Sequence, residues 1–585
     1  MPPRSAPAIR SGNRLHATKM KPNTLQLWRR FWAMAWPYWR EGERVKAWGL
    51  LALLVILLLG QTRFAVLLNE LTGEFTSALA ARDEPRFWDA IRTCVLVVLA
   101  AVPIMALFYY VRDKLGIHWR RWLSDRFLDR YFSNRQFYAL NANAGIDNPD
   151  QRVAEDINTF TQRSLYFLLI FVGSLLQLVA FSRVLWSISH ELVYFLVCYA
   201  FAGTLITIYV FGVPLMSVNF LQLRREADFR FSLMRVRENA ESIAFYRGEA
   251  QELQQVRRCF RMAFDNYLSM IRRQFGLNLF QQAYSLLTVV IPSAIIASRV
   301  LAGELEVGRA VQAAGAFVAV LSAISVIIDN FESLSRFAAG IDRLDTLTAA
   351  LAAAPVDETA GTTIRTEEGA QLALDRLTLQ TPGGQLTLVR ELSMAVPPGE
   401  GLMIVGQSGS GKSSLLRAIA GLWRSGSGTI VRPPPGDMFF LPQQPYMLIG
   451  TLRAQLLYPN NDPSIGDGQL LDALKKVHLA DLAHRFGGLD AELDWEKVLS
   501  VGEQQRLAFA RVLLARPRFA VLDEATSALD PANEASLYRL LLETRTTLVS
   551  VAHRATILRY HKQVLELTGD GEWKLHRADD YRFSQ

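Results

Sequence analysis

Cysteine is scarce in this chain, and its scarcity excludes two classes of protein. The 585 residues contain three cysteines, Cys94, Cys198 and Cys259. They are too few and too far apart for a disulfide framework or for a metal site built on thiolates. Two of them lie inside apolar runs, so we expect all three to pack as small hydrophobic side chains.

The first 30 residues lack a long apolar stretch. A cleaved secretory signal needs an apolar core soon after its basic start, and here no apolar core begins until after Trp36. This pattern excludes a simple cleaved signal peptide and predicts a basic cytoplasmic leader over residues 1–30. The basic residues of this leader are Arg4, Arg10, Arg14, Lys19, Lys21, Arg29 and Arg30.

Charge is sparse in long stretches before residue 345, whereas apolar and charged residues mix evenly after it, as in soluble domains. Two domains in two different solvents are therefore expected. The formal net charge of +8 could indicate a nucleic-acid partner. The basic residues cluster beside the apolar runs, however, which favours a membrane and predicts no nucleic-acid partner.

Six apolar runs in this first part match the length of about 20 residues that a helix needs to cross a bilayer. The third and fourth runs are separated by only three residues and predict a tight hairpin, whereas more than 60 residues separate the fourth from the fifth. The runs are Ala47–Leu68, Ile91–Val111, Leu165–Ile188, Leu192–Pro214, Leu279–Leu301 and Gln312–Phe331.

The distribution of arginine predicts the orientation of these runs. Residues 112–164 and 222–273 are rich in arginine, whereas the loop between the first two runs is mostly acidic. Positive residues mark the cytoplasmic side of a membrane protein. Both long loops, both termini and the C-terminal domain are therefore expected in the cytoplasm.

A phosphate-binding loop follows the apolar strand Leu402–Val405 and precedes a helical run. Its glycines permit a tight turn, its backbone N–H groups surround phosphates, Lys412 reaches the outer phosphates and the Ser413 hydroxyl ligates magnesium. This strand and helix context makes a chance match improbable. The residues predicted to bind nucleotide here are Gly406, Gln407, Ser408, Gly409, Ser410, Gly411, Lys412, Ser413 and Ser414.

A second apolar strand, Phe519–Leu522, ends in two acids. Asp523 is positioned to hold magnesium and Glu524 to polarise the attacking water. Taken alone, the pattern could be a strand that runs into a solvated acidic turn. With the phosphate loop upstream, it predicts the metal-binding and catalytic acids of an ATPase.

The segment between these motifs resembles the signature of ATP-binding cassette proteins. Val498–Arg506 contains Ser500, Gly502 and Glu503 at a helix start, and in that family the serine and the glycine amide contact the γ-phosphate held by the opposing protomer. The resemblance also implies that Gln443 senses magnesium and that His553 contacts the γ-phosphate, which adds both to Glu524 as catalytic residues. Asp530 belongs by the same resemblance to the D-loop and the nucleotide site. Val501 and Glu503 depart from the commonest signature, and Leu379–Gly383 lacks the usual aromatic for adenine.

The resemblance implies a fold class: an exporter-type domain of six transmembrane helices, followed by an α/β P-loop ATPase domain. We predict the transmembrane domain at residues 31–345, a linker at 346–369 and the ATPase domain at 370–585. ATP and Mg²⁺ are the implied cofactors. Because the chain has one phosphate loop and one signature, whereas a composite site needs both from opposed protomers, a homodimer in the lipid bilayer is expected.

Segments in both long loops indicate which subfamily of ATP-binding cassette proteins the chain resembles. Asp147–Asp156 and Glu241–Glu249, together with the Gly-Glu-Gln-Gln-Arg form of the signature, are similar to subfamily D. That group includes peroxisomal fatty acyl-CoA transporters and bacterial BacA/SbmA-related proteins. The second segment is charged and amphipathic, and we expect it to couple ATPase closure to the spans.

The chain has no evident peroxisomal targeting tail, which favours the bacterial branch and the inner membrane. That branch implies ATP-driven import of diverse hydrophilic solutes, such as cobalamin and antimicrobial peptides or peptide-like antibiotics. Two alternatives stay open: a transporter of fatty acyl-CoA or lipid, and a regulatory ATPase that uses its spans only as an anchor.

Overall fold

The computed structural model describes residues 24–142, 149–352, 363–381 and 384–583. The chain forms two compact units, Met1–Ala353 and Ala354–Gln585. Most of the predicted leader, part of the predicted linker, and the four residues Asp147, Asn148, Pro382 and Gly383 lie outside the described residues.

The first unit is helical wherever it is described as regular structure. Short π-helical segments at Arg152–Asp156 and Thr207–Gly212 each lie between two of its α-helices. The α-helices are α1 (Thr24–Glu41), α2 (Arg44–Ala80), α3 (Glu84–Phe132), α4 (Gln136–Ala142), α5 (Pro149–Gln151), α6 (Ile157–Ile188), α7 (His190–Ile206), α8 (Val213–Glu238), α9 (Ala240–Tyr246), α10 (Glu249–Leu301), α11 (Val307–Asp329) and α12 (Phe331–Ala352).

Among the described residues, six helical stretches are long and apolar enough to cross a membrane, which confirms the predicted number. The hairpin between the third and fourth is tighter than expected, because Ser189 alone is extended and its hydroxyl accepts the backbone N–H of Leu192. The sixth span, predicted to end near Phe331, ends at Asp329, and Asn330 alone separates α11 from α12. The backbone N–H and the side chain of Asn330 both donate to the Val326 carbonyl, at 3.2 and 2.9 Å.

Two helices continue far beyond their apolar segments. Helix α3 has 49 residues and α10 has 53. At 1.5 Å per residue each extends for roughly 75 Å, more than twice the ~30 Å of a bilayer core. The residues between the spans therefore prolong the membrane helices.

Small residues bring two spans of the first unit into close contact. A Cβ at Gly308 of α11 would lie 1.8 Å from the carbonyl oxygen of Gly73 on α2, so only glycine fits there. The Ser77 hydroxyl accepts the Gly308 N–H at 3.0 Å. Close backbone approach and bonds of this kind replace the hydrophobic effect, which does not drive helices together inside lipid.

The second unit is an α/β domain. Its strands are β1 (Arg365–Glu368), β2 (Leu372–Gln380), β3 (Thr387–Val396), β4 (Leu402–Gly406), β5 (Gly426–Arg432), β6 (Met438–Leu441), β7 (Ile449–Thr451), β8 (Glu492–Asp494), β9 (Phe519–Asp523), β10 (Thr547–Val551), β11 (Gln563–Leu567) and β12 (Trp573–Arg577). Its helices are α13 (Lys412–Ile419), α14 (Leu452–Leu457), α15 (Asp467–Lys476), α16 (Leu482–Arg485), α17 (Trp495–Val498), α18 (Val501–Ala515) and α19 (Pro531–Glu543).

The strands of this unit form three sheets. A six-stranded sheet has the order β12-β11-β4-β10-β9-β6, a four-stranded sheet the order β1-β5-β2-β3, and β7 pairs with β8. In the large sheet, β11, β4, β10, β9 and β6 are parallel. The strand β9 reads Phe-Ala-Val-Leu-Asp and is buried up to Leu522, as a strand covered on both faces must be. The carboxyl ends of the parallel strands therefore lie along one edge.

Candidate functional site

The edge of the large sheet brings four predicted motifs together. The phosphate loop follows β4, Gln443 follows β6, the acidic pair ends β9 and His553 follows β10. These strands are neighbours in the order β4-β10-β9-β6. In open parallel sheets, ligands bind beyond the carboxyl ends of the strands. The strand order thus places the phosphate loop and the acidic pair, which are more than 100 residues apart in the sequence, in one site.

The phosphate loop is shaped by glycines that other residues could not replace. Gly406 has φ +146°, and a Cβ there would lie 2.4 Å from the Leu567 carbonyl oxygen. Gly411 has φ +97° and immediately precedes α13, which begins at Lys412. The loop therefore presents the N-terminus of a helix, where free N–H groups favour an anion.

Lys412 lies inside this loop with a side chain that is almost fully buried. Its Nζ donates to the carbonyl oxygens of Gly406 and Gln407, both at 2.8 Å. Burial lowers the pKa of Lys412, while the charges of Glu524 and Asp523 oppose that shift. A phosphate close to the ammonium would add a favourable anionic partner.

Ser410 supplies an independent sign that the loop is built for a ligand. Its hydroxyl oxygen is buried and has no hydrogen-bond partner within the described parts of the chain. Buried hydroxyls of native proteins are normally paired, so an unpaired one requires an explanation. A phosphate oxygen that accepts from this hydroxyl would supply the missing bond.

Ser413 and Asp523 lie together and fit the predicted magnesium site. The Ser413 hydroxyl is 3.5 Å from Oδ1 of Asp523. Burial raises the pKa of Asp523, although the bond from Ser413 acts in the opposite direction. A hydroxyl and a carboxylate are the hard oxygen donors that Mg²⁺ prefers, and a cation would stabilise the buried carboxylate.

Glu524, Gln443 and His553, the three predicted catalytic residues, are in direct contact. Nε2 of Gln443 donates to Oε2 of Glu524 at 3.0 Å, and Nε2 of His553 lies 3.1 Å from Oε1. Glu524 also has φ +48°, a backbone region that non-glycine residues rarely occupy. Such strain is concentrated at functional sites, and here it orients the carboxylate that both neighbours hold.

The signature residues form a helix cap. Ser500 precedes α18 and accepts the N–H of Glu503, while Oε2 of Glu503 accepts the N–H of Ser500 at 2.8 Å. Oε1 of Glu503 pairs with Arg485 at 2.7 Å. Burial opposes ionisation of Glu503, but the bonds from Arg485 and Ser500 outweigh it and hold its pKa below the ordinary value. In the described residues, no hydrogen bond links this segment to the phosphate loop, so its nucleotide contact stays a prediction.

The D-loop carboxylate also acts locally. Asp530 precedes α19 and accepts the N–H groups of Ala532 and Asn533 at 3.0 and 2.9 Å. These bonds, with one from the Asn533 side chain, lower the pKa of Asp530. Its predicted contact with nucleotide likewise stays a prediction.

Two residues that the sequence reasoning missed hold the loops around the acids. Gln505, 1% exposed, donates to the Gln443 carbonyl at 3.4 Å and to the Ser527 hydroxyl at 3.2 Å, and its Oε1 accepts the Ala528 N–H. Arg554 donates to the carbonyls of Leu529 and Ser527. Gln505 lies within the signature segment and Arg554 directly follows His553. These positions were the sequence signal that could have identified both residues.

The region without the expected aromatic has a structural role. Leu379 is fully buried in β2, and the Gln380 carbonyl accepts the indole N–H of Trp423 at 2.8 Å. Leu379 therefore packs in the core of the unit, and Gln380 holds the side chain of Trp423 in place.

Comparison with known proteins agrees with this arrangement. Two family models match the chain, one described as ABC transporter transmembrane region 2, over residues 42–301, and one described as ABC transporter, over residues 389–527. An uncharacterized ABC transporter ATP-binding protein of Synechocystis is 46% identical over 91% of this chain and 82% of its own length.

Two eukaryotic relatives also align over most of their length. ABC transporter D family member 2, chloroplastic, of Arabidopsis thaliana is 37% identical over 94% of this chain and 88% of its own length. The lysosomal cobalamin transporter ABCD4 of Mus musculus is 31% identical over 86% and 89%. The chain therefore belongs to the D family of ABC transporters, half-transporters in which an ATP-hydrolysing domain drives transport through a transmembrane domain.

Proposed function

We propose that this chain imports hydrophilic solutes, such as cobalamin or antimicrobial peptides, across a bacterial inner membrane. The observation that carries the solute class is the similarity to the mouse protein named as a cobalamin transporter, which extends over 86% of the chain. The bacterial relative from Synechocystis supports a bacterial membrane. Transport proceeds by alternating access, in which ATP binding and hydrolysis favour different states of the membrane domain.

In the proposed hydrolysis step, Glu524 polarises the attacking water. Before ATP binds, Gln443 and His553 hold its carboxylate, at 3.0 and 3.1 Å. When ATP is bound, His553 would exchange this contact for one with the γ-phosphate, which leaves Oε1 of Glu524 free to accept from the attacking water. The carboxylate accepts the water proton as the water oxygen bonds to the γ-phosphorus, the bond between that phosphorus and the bridging oxygen breaks, and ADP leaves with that oxygen.

The phosphate groups are held by the loop. Lys412 and the Ser410 hydroxyl donate to phosphate oxygens, and the backbone of Gly406–Ser414 surrounds them. Ser413, Asp523 and Gln443 are the residues that would hold Mg²⁺. When bound, the ion would supply positive charge for the phosphate oxygens.

A homodimer completes each ATP site in this proposal. The segment Ser500–Glu503 lies at the start of α18, where free N–H groups suit an anion. It is not bonded to the phosphate loop of its own chain within the described residues, and the sequence contains a single copy of each motif. A second copy of the chain would supply the missing half, which gives a twofold symmetric pair.

Reconstitution of the full chain in proteoliposomes tests the proposal. We expect ATP-dependent accumulation of labelled cobalamin or of a proline-rich peptide, and its loss in Glu524→Gln. The variant Glu543→Gln, changed at an exposed glutamate of α19, serves as the matched control. Robust ATP hydrolysis without movement of either solute would overturn the solute class and favour fatty acyl-CoA or lipid.

A further inference from the structure

A cavity of about 330 Å³ lies between α3 and α6 of the membrane unit, outside the nucleotide site. This volume is within the range of small-ligand sites. Its lining combines apolar side chains with polar ones and is rich in guanidinium groups. The residues that matter for its chemistry are Arg112, Asp113, Arg120, Asn158, Arg163 and Tyr166.

The cavity is built by two polar stripes that face each other. On α3, Arg112, Gly116 and Arg120 recur every four residues, which places them on one face of the helix. On α6, Asn158, Gln162 and Tyr166 recur with the same spacing and line the opposite wall. A solvated basic surface would not need two facing stripes.

Gly116 helps to keep the space open. A Cβ at this position would be an ordinary 3.7 Å from Leu165, so a larger side chain here would project towards α6. The absence of a side chain leaves room between the two stripes. The neighbouring Arg121, by contrast, extends towards Glu43, 3.7 Å away, and does not line the cavity.

The charges in the cavity are not balanced. Arg112 pairs with Asp113 at 2.9 Å. Neither Arg120 nor Arg163 has an acidic partner in the described chain. Arg120 donates to the Ala154 carbonyl, 3.5 Å away, and Arg163 lies 5.7 Å from the centre of the Tyr166 ring. A buried oxygen of Asn158, Oδ1, also has no hydrogen-bond partner among the described residues. The cavity thus offers guanidinium donors and one free acceptor.

The location of the cavity fits an anion at a membrane surface. Arg112 directly follows the predicted span Ile91–Val111, and Arg163 lies two residues before the start of the predicted span Leu165–Ile188. Arginine at such a boundary avoids the cost of the bilayer interior. Basic pockets between membrane helices on the cytoplasmic side bind lipid phosphates.

We propose that this cavity binds a phosphate group, carried by an anionic phospholipid or by a water-soluble phosphate ester. Arg120 and Arg163 donate to its oxygens in the forked geometry that guanidinium and phosphate share. The Asn158 oxygen accepts from a hydroxyl of the same ligand. The inference does not depend on which solute is transported.

The test uses the full chain purified in a neutral detergent, with a non-hydrolysable ATP analogue that fills the nucleotide site. Thermal unfolding is followed while dioleoyl-phosphatidylglycerol or glycerol 3-phosphate is added, with dioleoyl-phosphatidylcholine and glycerol as controls. Wild type is compared with Arg120→Gln/Arg163→Gln and with Arg121→Gln, which removes a charge from α3 outside the cavity.

We expect phosphatidylglycerol or glycerol 3-phosphate to stabilise the wild type more than its control does. The double variant should lose apparent affinity about tenfold or more, and Arg121→Gln should keep it. A response to the lipid alone identifies a headgroup site, and a response to glycerol 3-phosphate identifies a site for soluble esters.

Two results would overturn the inference: no stabilisation of the wild type by either phosphate compound, or an equal loss in the double variant and in Arg121→Gln. If the double variant does not fold, the single variant Arg163→Gln, altered at an exposed side chain, replaces it in the same comparison.

Discussion

The membrane unit exposes many of its large apolar side chains, whereas the ATPase unit buries most of its own. In the ATPase unit, Leu392 and Leu522 are 0% exposed, and two clusters of buried residues cover both faces of the large sheet. In the membrane unit, Leu96 and Leu99 are 66% and 65% exposed, and many other apolar side chains are exposed on its helices. The two units differ because each folds in a different solvent.

This difference teaches where function is specified by single residues. Lipid accepts almost any apolar side chain, so a span is determined mainly by its length and hydropathy. The edge of a parallel sheet, by contrast, holds phosphate, metal and water through individual atoms at fixed distances. Substitutions of one kind should therefore have unequal effects in the two units.

The largest effect is expected from Glu524→Gln in the ATPase unit. The amide cannot accept the water proton, so the rate of ATP hydrolysis should fall by about 10²–10⁴-fold while ATP is still bound. Phosphate release and binding of a fluorescent ATP analogue by the full chain measure the two quantities. Unchanged hydrolysis, or an equal fall in Glu543→Gln, would remove Glu524 from its assigned role.

The next effect concerns packing in the ATPase unit. Leu392→Ala removes a fully buried side chain from β3 and leaves a cavity, so the free energy of unfolding of this unit should fall by about 2–5 kcal/mol. Scanning calorimetry of the full chain should show a lower midpoint for the transition of this unit. A midpoint equal to that of the wild type would contradict the close packing of β3.

A smaller effect is expected at Gln505, a buried side chain that connects the loop at Gln443 to the loop at Ser527 and Ala528. Gln505→Leu leaves the Ala528 N–H unpaired and frees the Ser527 side chain. Misplaced loops should lower the kcat for ATP about tenfold, with KM changed much less. Steady-state ATPase kinetics separate the two constants, and a change confined to KM would show that Gln505 does not position the acids.

Glu503 should give a modest effect that depends on pH. Its pKa is held below the ordinary value of 4.5, because the bonds from Arg485 and Ser500 outweigh burial. Its stabilising contribution is thus present above this value and is lost as the pH falls through the lower folded-state pKa. At pH 7, Glu503→Gln should unfold more easily than wild type by about 1 kcal/mol or less.

Unfolding midpoints of both proteins between pH 7 and pH 4 measure this dependence on Glu503. The difference should shrink as the solution becomes acidic. A difference that grows on acidification would show that the carboxylate is not the stabilising form.

The smallest effect is expected from Leu99→Ala in the membrane unit, the counterpart of the change at Leu392. This side chain is 65% exposed and packs little within the described protein, so stability should change by less than about 0.5 kcal/mol. Scanning calorimetry in lipid nanodiscs compares the two alanine variants. An equal loss of stability in Leu99→Ala and Leu392→Ala would contradict the proposed difference between the units.

The sequence by itself determined the six spans and the phosphate-binding motif. Span length and hydropathy follow from the thickness of the bilayer, which acts on each helix separately. The loop Gly406–Ser414 was equally readable, because its glycines, lysine and serine are adjacent in the chain and lie between a strand and a helix. Such local patterns need no knowledge of distant neighbours.

Only the tertiary structure decided what surrounds these residues. Gln443 and His553 reach the two oxygens of Glu524 across 81 and 29 residues, and Gln505 binds Gln443 across 62. The facing stripes on α3 and α6 are likewise separate in the chain. Contacts of this kind depend on strand order and helix rotation, which one sequence does not encode in any local spacing.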